Sequence, residues 1–364
     1  MRILHCIPSM LGGGAERQVC YLAEELVRRG HQVDVALLQG GPNLERLEAV
    51  GARVHWLPPL QHAWDPRGPW HLRAVMRETG AEVVQTWLTR MDAWGGLAAR
   101  SLGLPWIFSE RSGCVFTSSS MADRGFRALI GQTDYVVANS ESAATAWRGY
   151  LGPAHKIAVV SNALPVDEIA RAPLADRAAL GVAEGAPFVL FSGRFQRAKG
   201  TAALAQALAR LLPSRPALHA VACGVGPSLD EFRRIVDAAG VGARVLTPGY
   251  RNDLWSLMRS ASVLVSPSHL EGRPNVVMEA MAAGVPLALS TIGPHRELVP
   301  EAASQWFDID DVAAMTRAMA AVLDDPEGAA VRVEAARAVL GAHAASVMAE
   351  AYEKVYREVL RARR

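Results

Sequence analysis

Residues 269–290 read HLEGRPNVVMEAMAAGVPLALS. This stretch sets one carboxylate, Glu271, in a loop and a second, Glu279, eight positions later inside an apolar helical run. A Gly-Val-Pro turn then leads into a strand. The exposed amides of a helix's first turn attract phosphates, and carboxylates accept hydrogen bonds from sugar hydroxyls. Glu279 is surrounded by Val276, Val277, Met278, Ala280, Met281 and Ala282. A carboxylate in such company is costly unless something partners it, which argues against a solvated helix face. The segment therefore points to a ligand carrying both anionic phosphates and hydroxyl groups.

Outward from this stretch, short β-branched runs alternate with helical periodicity along the whole chain. Strands are expected at 2–7, 32–38, 53–57, 82–87, 106–109, 135–139 and 157–161, with a helix at 15–29 after the first. After Asn162 the chain loosens into ALPVDEIARAPLADRAALGVAEGAP, a linker candidate. The pattern then restarts, with strands at 188–192, 218–223, 244–246, 263–266 and 286–290. Helices at 201–211, 229–239, 253–260 and 276–283 separate them. Such alternation predicts parallel sheets covered by helices, and 364 residues exceed one ordinary core. The expected fold is α/β with two Rossmann-like doubly wound parallel-sheet domains, 1–165 and 166–345. A final helix within 346–364 carries Val347, Ala351, Tyr352, Val355, Tyr356 and Val359 along one stripe. It is expected to cross the domain junction and pack back on the first domain.

The formal net charge is +2 with 20% charged residues, so no charge excess calls for nucleic acid. Cys6, Cys20, Cys114 and Cys223 have neither metal-ligand nor disulfide spacing, which suits a reducing cytoplasm. The start, MRILHCIPSM, reads as strand and turn rather than a secretory signal, and no apolar run is long enough to span a bilayer. Of 38 basic residues only Lys156, Lys199 and Lys354 are lysines, which draws attention to each of them.

Two glycine-rich loops invite dinucleotide or Walker readings, and both fail. PSMLGGGAERQ has Arg17 where a dinucleotide loop needs its third glycine, and the second strand ends Leu37-Leu38-Gln39 without an acid for a ribose. What remains is Gly12, Gly13 and Gly14 bringing backbone close to a ligand. FSGRFQRAKG lacks the Walker residues around Lys199, where Ala198 and Gly200 stand. It keeps Arg194 and Lys199 at a strand's carboxyl end, two cations able to neutralise a leaving diphosphate. Asp308-Ile309-Asp310 is not read as a metal motif, because Asp310 and Asp311 precede a helix at 312–323 and suit its cap. Gly-x-Ser-x-Gly, His-Glu-x-x-His and Cys/His zinc spacings are absent.

Taken together, these features resemble the retaining glycosyltransferases of family four with the GT-B fold. The Glu271-to-Glu279 motif with AMAAGVP, GGGAER, the loop from Gly193 to Gly200 and PGYRNDLWSLMRSASVLVSPS carry the likeness. It implies two domains facing a central cleft, an acceptor-binding first domain and a nucleotide-sugar-binding second domain. Catalysis would rest on Glu271 facing the donor sugar and on Arg194 and Lys199 gripping the diphosphate. Glu279 would bind the ribose. Gly13, Gly14, Gly193, Arg251, Gly272, Pro274, Asn275 and Val276 complete the implied donor site. No cofactor and no metal are implied, since the cations stabilise the leaving phosphate. The chain departs from the family in SNALPVD, which lacks the usual glycine at the junction. It also lacks a histidine in TWLTR and FSERSG, so Glu110, Arg111 or Ser112 is expected in that place. UDP is favoured over GDP. The alternatives are a nucleotide-sugar epimerase of similar build and a nucleotide-sugar-binding protein without transfer activity.

WLPPLQHAWDPRGPWHLRAVMR, residues 56–77, holds three tryptophans, four prolines and three arginines. Indoles and arginines together suit a membrane–water interface, while a packed core around an irregular loop is the competing expectation. Trp64 and Trp70, with Glu16, Glu110 and Arg111, form the expected acceptor site for a saccharide or lipid-linked saccharide. Peripheral contact with an anionic membrane at its cytoplasmic face goes with that reading, in a cell-surface polysaccharide or glycolipid pathway.

Overall fold

The computed structural model describes residues 1–11, 13–59, 65–111, 121–309 and 311–363. The chain divides into two compact units, one of residues 1–164 with 343–364 and one of residues 165–342.

In the first unit, parallel strands β1 (Arg2–Cys6), β2 (Gln32–Leu37), β3 (Arg53–Trp56), β4 (Val83–Trp87), β5 (Trp106–Glu110), β6 (Tyr135–Ala138) and β7 (Ile157–Val159) form one sheet ordered 3-2-1-4-5-6-7. The helices are α1 (Gly14–Arg28), α2 (Leu44–Ala49), α3 (Gly68–Thr79), α4 (Thr89–Leu102), α5 (Met121–Ile130) and α6 (Glu141–Leu151). Strands buried on both faces, such as β6 with its Val136, Val137 and Ala138, cannot show a polar–apolar alternation, and their continuous apolar runs are the signature of a covered parallel sheet. One face packs on α1 and on the terminal helix Ala345–Arg361, which supplies Met348, Tyr352, Val355, Tyr356 and Val359 to the core. The other face packs against Leu72, Met76, Trp94, Ala98 and Trp147. The terminal helix thus belongs to the first unit.

The second unit repeats the plan with β8 (Phe188–Ser192), β9 (His219–Cys223), β10 (Val245–Gly249), β11 (Val263–Ser266), β12 (Leu287–Ser290) and β13 (Gln305–Phe307), ordered 10-9-8-11-12-13 and all parallel. Its helices are α7 (Val166–Arg171), α8 (Thr201–Leu211), α9 (Leu229–Ala238), α10 (Leu254–Ser260), α11 (Asn275–Ala283), α12 (Gly293–Leu298), α13 (Val312–Asp324) and α14 (Pro326–Arg337), and the terminal helix is α15. Strand order reverses between β1 and β4 in one sheet and between β8 and β11 in the other. At such switch points the loops leaving the two strands diverge and open a crevice for ligands.

Two differences from the sequence reading have physical causes. β13 is a three-residue edge strand, too short for periodicity to register. The expected linker is built into the second unit, because α7 buries Ile169 and Arg177 donates to the carbonyls of Ala186 and Ser260. Trp56 and Trp70 are 52% and 70% exposed, so neither joins a core. Asp311 caps α13 by accepting from the Ala314 amide, and Asp310 lies outside the described residues.

Candidate functional site

The loops after β8 and β11 meet at the second unit's switch point. After β8 the chain passes Gly193 and Arg194 into a short 3-10 turn, Arg197–Lys199, and then into α8. Gly200 joins them at φ 63°, and a Cβ there would stand 2.1 Å from the Pro267 carbonyl oxygen. Only glycine allows that approach. The His269 amide donates to the Ala198 carbonyl at 2.9 Å, tying the two loops together.

That closeness brings the expected catalytic pair into contact. Lys199 Nζ donates to Glu271 Oε1 at 2.6 Å, and Ser268 Oγ donates to the same oxygen at 2.7 Å. The Lys199 and Glu271 side chains stay 21% and 11% exposed, so the pair is recessed yet open to a ligand. Gly272, Pro274, Asn275 and Val276 carry the chain from Glu271 into α11, where the Val277 and Met278 amides turn inward to the Pro274 carbonyl. Glu279 is buried on α11 among Val277, Met278, Ala280 and Met281, not on a solvated face.

A histidine that the sequence reading left without a role supports this loop. His295 of α12 is fully buried, with Nδ1 2.9 Å from the Ser290 carbonyl and Nε2 3.3 Å from Ser266 Oγ. Burial lowers its pKa. Hydrogen bonding to the Ser290 backbone and the Glu271 charge oppose that shift, while Lys199 adds to it. A neutral ring protonated at Nδ1 satisfies both contacts, donating to the carbonyl and accepting from the serine. Ser290 Oγ in turn donates to the Ser268 carbonyl at 2.8 Å, so the chain of contacts ends at the residue holding Glu271.

The remaining expected donor residues are differently engaged. Gly193 is pinned to β9 by donating to the Cys223 carbonyl, leaving Arg194 exposed and without an ion pair among the described residues. Arg251 grips Asp253 through two bonds of 2.8 and 2.6 Å, so its charge already has a partner. Arg273, unmarked in the sequence reading, has a buried Nε without a hydrogen bond among the described residues, and burial lowers its pKa against the pull of Glu297.

The first unit holds two expected donor residues, Gly13 and Gly14, and the expected acceptor residues, which are dispersed. Gly13 caps α1 and Gly14 opens it, while Gly12 lies outside the described residues. Glu16 folds back on that helix start: a Cβ on Gly13 would meet its Oε2 at 2.3 Å, and Ser9 Oγ donates to its Oε1 at 3.3 Å. Glu110 and Arg111, grouped by the sequence reading, go to different partners on the two faces of the sheet, as the pleat requires of neighbours. Trp147 Nε1 donates to Glu110 Oε2 at 2.8 Å. Nearby Asp92 has its carboxyl pushed up to about 8 by burial, with the Glu110 charge adding and a Thr86 hydrogen bond opposing. Arg111 stacks its guanidinium over Trp87 at 4.4 Å and donates to Asn162 Oδ1 at 2.8 Å and to the Tyr352 hydroxyl. Ser112 and Trp64 lie outside the described residues, and Trp70 stands exposed on α3. Among the described residues no three His, Cys, Asp or Glu side chains gather to hold a metal, and no helix is long and apolar enough to cross a membrane.

Comparison with known proteins adds the following. Residues 174–339 match the family described as glycosyl transferases group 1, and residues 12–168 match glycosyltransferase family 4. A D-inositol 3-phosphate glycosyltransferase of Thermobifida fusca is 27% identical over 329 residues, covering 77% of this chain and 73% of its own. A lipopolysaccharide core biosynthesis mannosyltransferase, LpsB of Rhizobium meliloti, is 34% identical over 155 residues, 40% of this chain and 44% of its own. The solved structure of Anabaena Alr3699/HepE in complex with UDP-glucose superposes with a TM-score of 0.82 at 20% identity, covering 98% of this chain and 99% of that one.

Proposed function

Because the chain belongs to the group 1 glycosyltransferases of family 4, hexosyltransferases with the GT-B fold of two parallel-sheet α/β domains, we propose a specific transfer. It moves a sugar from a UDP-sugar to a saccharide or lipid-linked saccharide acceptor, with retention at the anomeric carbon and without a metal. The observation that carries this reading is the Lys199–Glu271–Ser268 contact at the switch point of the second unit.

Among the described residues both bonds to Glu271 fall on Oε1, which leaves Oε2 to accept from a donor-sugar hydroxyl. A diphosphate entering beside Lys199 competes for its ammonium, and Arg194 supplies a second cation from the adjoining loop. The two stabilise charge that grows on the leaving phosphate, which takes the acceptor's proton as the acceptor attacks. Glu279 accepts from the ribose. UDP is the chosen nucleotide because the Anabaena neighbour binds it. The exposed indoles of Trp56 and Trp70, in a stretch of sequence that also holds Arg67, Arg73 and Arg77, favour an acceptor presented at an anionic membrane surface.

The test is incubation with a panel of nucleotide sugars, with and without saccharide acceptors and EDTA, following free nucleoside diphosphate and the product anomer by NMR. Transfer from a UDP-sugar that survives chelation and keeps the anomeric configuration is expected. Inversion, or activity restored only by manganese, would overturn the mechanism.

A further inference from the structure

Arg111 holds an unusual position in the first unit. Its guanidinium is half-buried, and its partners among the described residues are neutral: the face of Trp87 from β4, Asn162 Oδ1 after β7 and the Tyr352 hydroxyl from α15. Among the described residues it makes no ion pair. The undescribed residues of this unit, Gly12, LQHAW at 60–64, SGCVFTSSS at 112–120 and Arg364, include no Asp or Glu. A guanidinium withdrawn from water without a counter-charge is costly to keep.

Its surroundings are nonetheless braced. Gln85 Nε2 donates to Ser109 Oγ at 2.7 Å, and the Tyr356 hydroxyl donates to Gln85 Oε1. Trp87 Nε1 donates to His5 Nδ1 at 3.2 Å. Leu88, directly after Trp87, has φ 68°, the one positive φ at a non-glycine position among the described residues. Strain of this kind persists where the surroundings enforce it, and it concentrates at ligand sites. The two bonds Arg111 donates use only part of its N–H fork, and Nε is buried without a partner among the described residues. A fixed, uncompensated fork at the carboxyl end of a parallel sheet is built to meet an oxyanion.

We propose that Arg111, held in place by Tyr352 and Asn162, binds a phosphate or carboxylate group of the acceptor, so that this enzyme's acceptor is anionic. The proposal rests on the transfer reading for the word acceptor, but its readout does not need transfer. With UDP at saturation to fill the donor site, orthophosphate and glucuronate are titrated into the full-length protein by calorimetry. Vesicles of phosphatidylcholine with and without phosphatidic acid give a lipid-borne arm.

Wild-type protein is expected to bind at least one of these anions, Arg111→Gln to weaken it at least about tenfold, and Arg100→Gln, an exposed change in the same unit, to leave it unaltered. Tyr352→Phe keeps the ring packing, and it should weaken anion binding while Tm stays near wild type. If Arg111→Gln fails to fold, Tyr352→Phe and Asn162→Ala carry the test. Binding to soluble anions points to a soluble anionic acceptor, and binding only to phosphatidic acid vesicles points to a lipid-linked one. No anion binding by wild-type protein, or equal binding by wild type, Arg111→Gln and Tyr352→Phe, overturns the proposal. Failure of the nucleotide-sugar panel alone would leave anion binding at Arg111 measurable.

Discussion

The carboxyl edges of the two sheets solve the same problem in opposite ways. In the second unit Lys199 has Glu271 as its counter-ion, and the contact joins two loops only 72 residues apart. In the first unit Arg111 has, among the described residues, only neutral partners, drawn from β4, the stretch after β7 and a helix 241 residues further along. A cation paired to a carboxylate is stable before any ligand arrives and must be won from its partner. A cation held by amide, hydroxyl and ring is oriented but electrostatically unfinished. The difference teaches that the second unit's edge suits exchange of one partner for another, and the first unit's edge addition of a missing one.

The sharpest way to break the comparison is to remove Lys199. If its exchange between Glu271 and the leaving diphosphate is what drives turnover, Lys199→Ala should lower kcat by about 10²–10³-fold with the fold intact, the scale of losing one preorganised charge-stabilising donor. A variant that keeps turnover but loses Tm would make the pair structural. Next in size is Glu279→Ala. A lost hydrogen bond to a charged group, about 1.5–3 kcal/mol, should weaken UDP by about ten- to a hundredfold in calorimetry. Unchanged affinity would remove Glu279 from the ribose. Smaller still is Glu271→Gln, which keeps the shape and removes the charge. Here kcat should fall by about tenfold while UDP affinity moves little if this carboxylate addresses the sugar, as proposed, and not the nucleoside. Equal losses in both would return Glu271 to a loop-bracing role.

The same contrast explains what could be read from residues alone. The second unit's edge is local: Ser268, Glu271 and Glu279 lie within one loop and one helix, so their spacing, with the apolar neighbours of Glu279, already announces them. Even there His295 passed without a role. Its contacts to Ser266 and Ser290 are made across β11 and β12, and nothing in GPHRELV shows that the ring is buried. The other edge was legible only in parts. Glu110 and Arg111 were grouped as chain neighbours, although the pleat sends such neighbours to opposite faces. The partner Tyr352 appeared only as part of an apolar stripe on the last helix. The repeating α/β plan was legible because buried parallel strands write themselves as apolar runs, whereas β13, three residues at an edge, leaves no such trace.

The smallest predicted effect concerns the polar groups buried behind the first unit's edge. Asp92 has its carboxyl pushed from 3.8 up to about 8, first by burial and then by Glu110, while burial lowers His5 from 6.5 to about 3. Between pH 3.8 and 8 the folded protein holds a proton on Asp92 that the unfolded chain has lost, so this group's contribution declines as pH rises. His5 has the opposite sign: the unfolded chain binds the extra proton between pH 3 and 6.5, so its contribution grows with pH over that window. The two oppose each other below pH 6.5, and above it only the Asp92 slope remains, at most about 1.4 kcal/mol per pH unit. Calorimetric Tm of wild-type protein should therefore fall from pH 6.5 to 8, and Asp92→Asn, which cannot ionise, should flatten that fall. Parallel curves for the two proteins would mean that Asp92 is already charged in the fold. Its charge would then stand beside the Glu110 carboxylate on one face of the first unit's sheet, like against like, where the second unit sets Lys199 against Glu271.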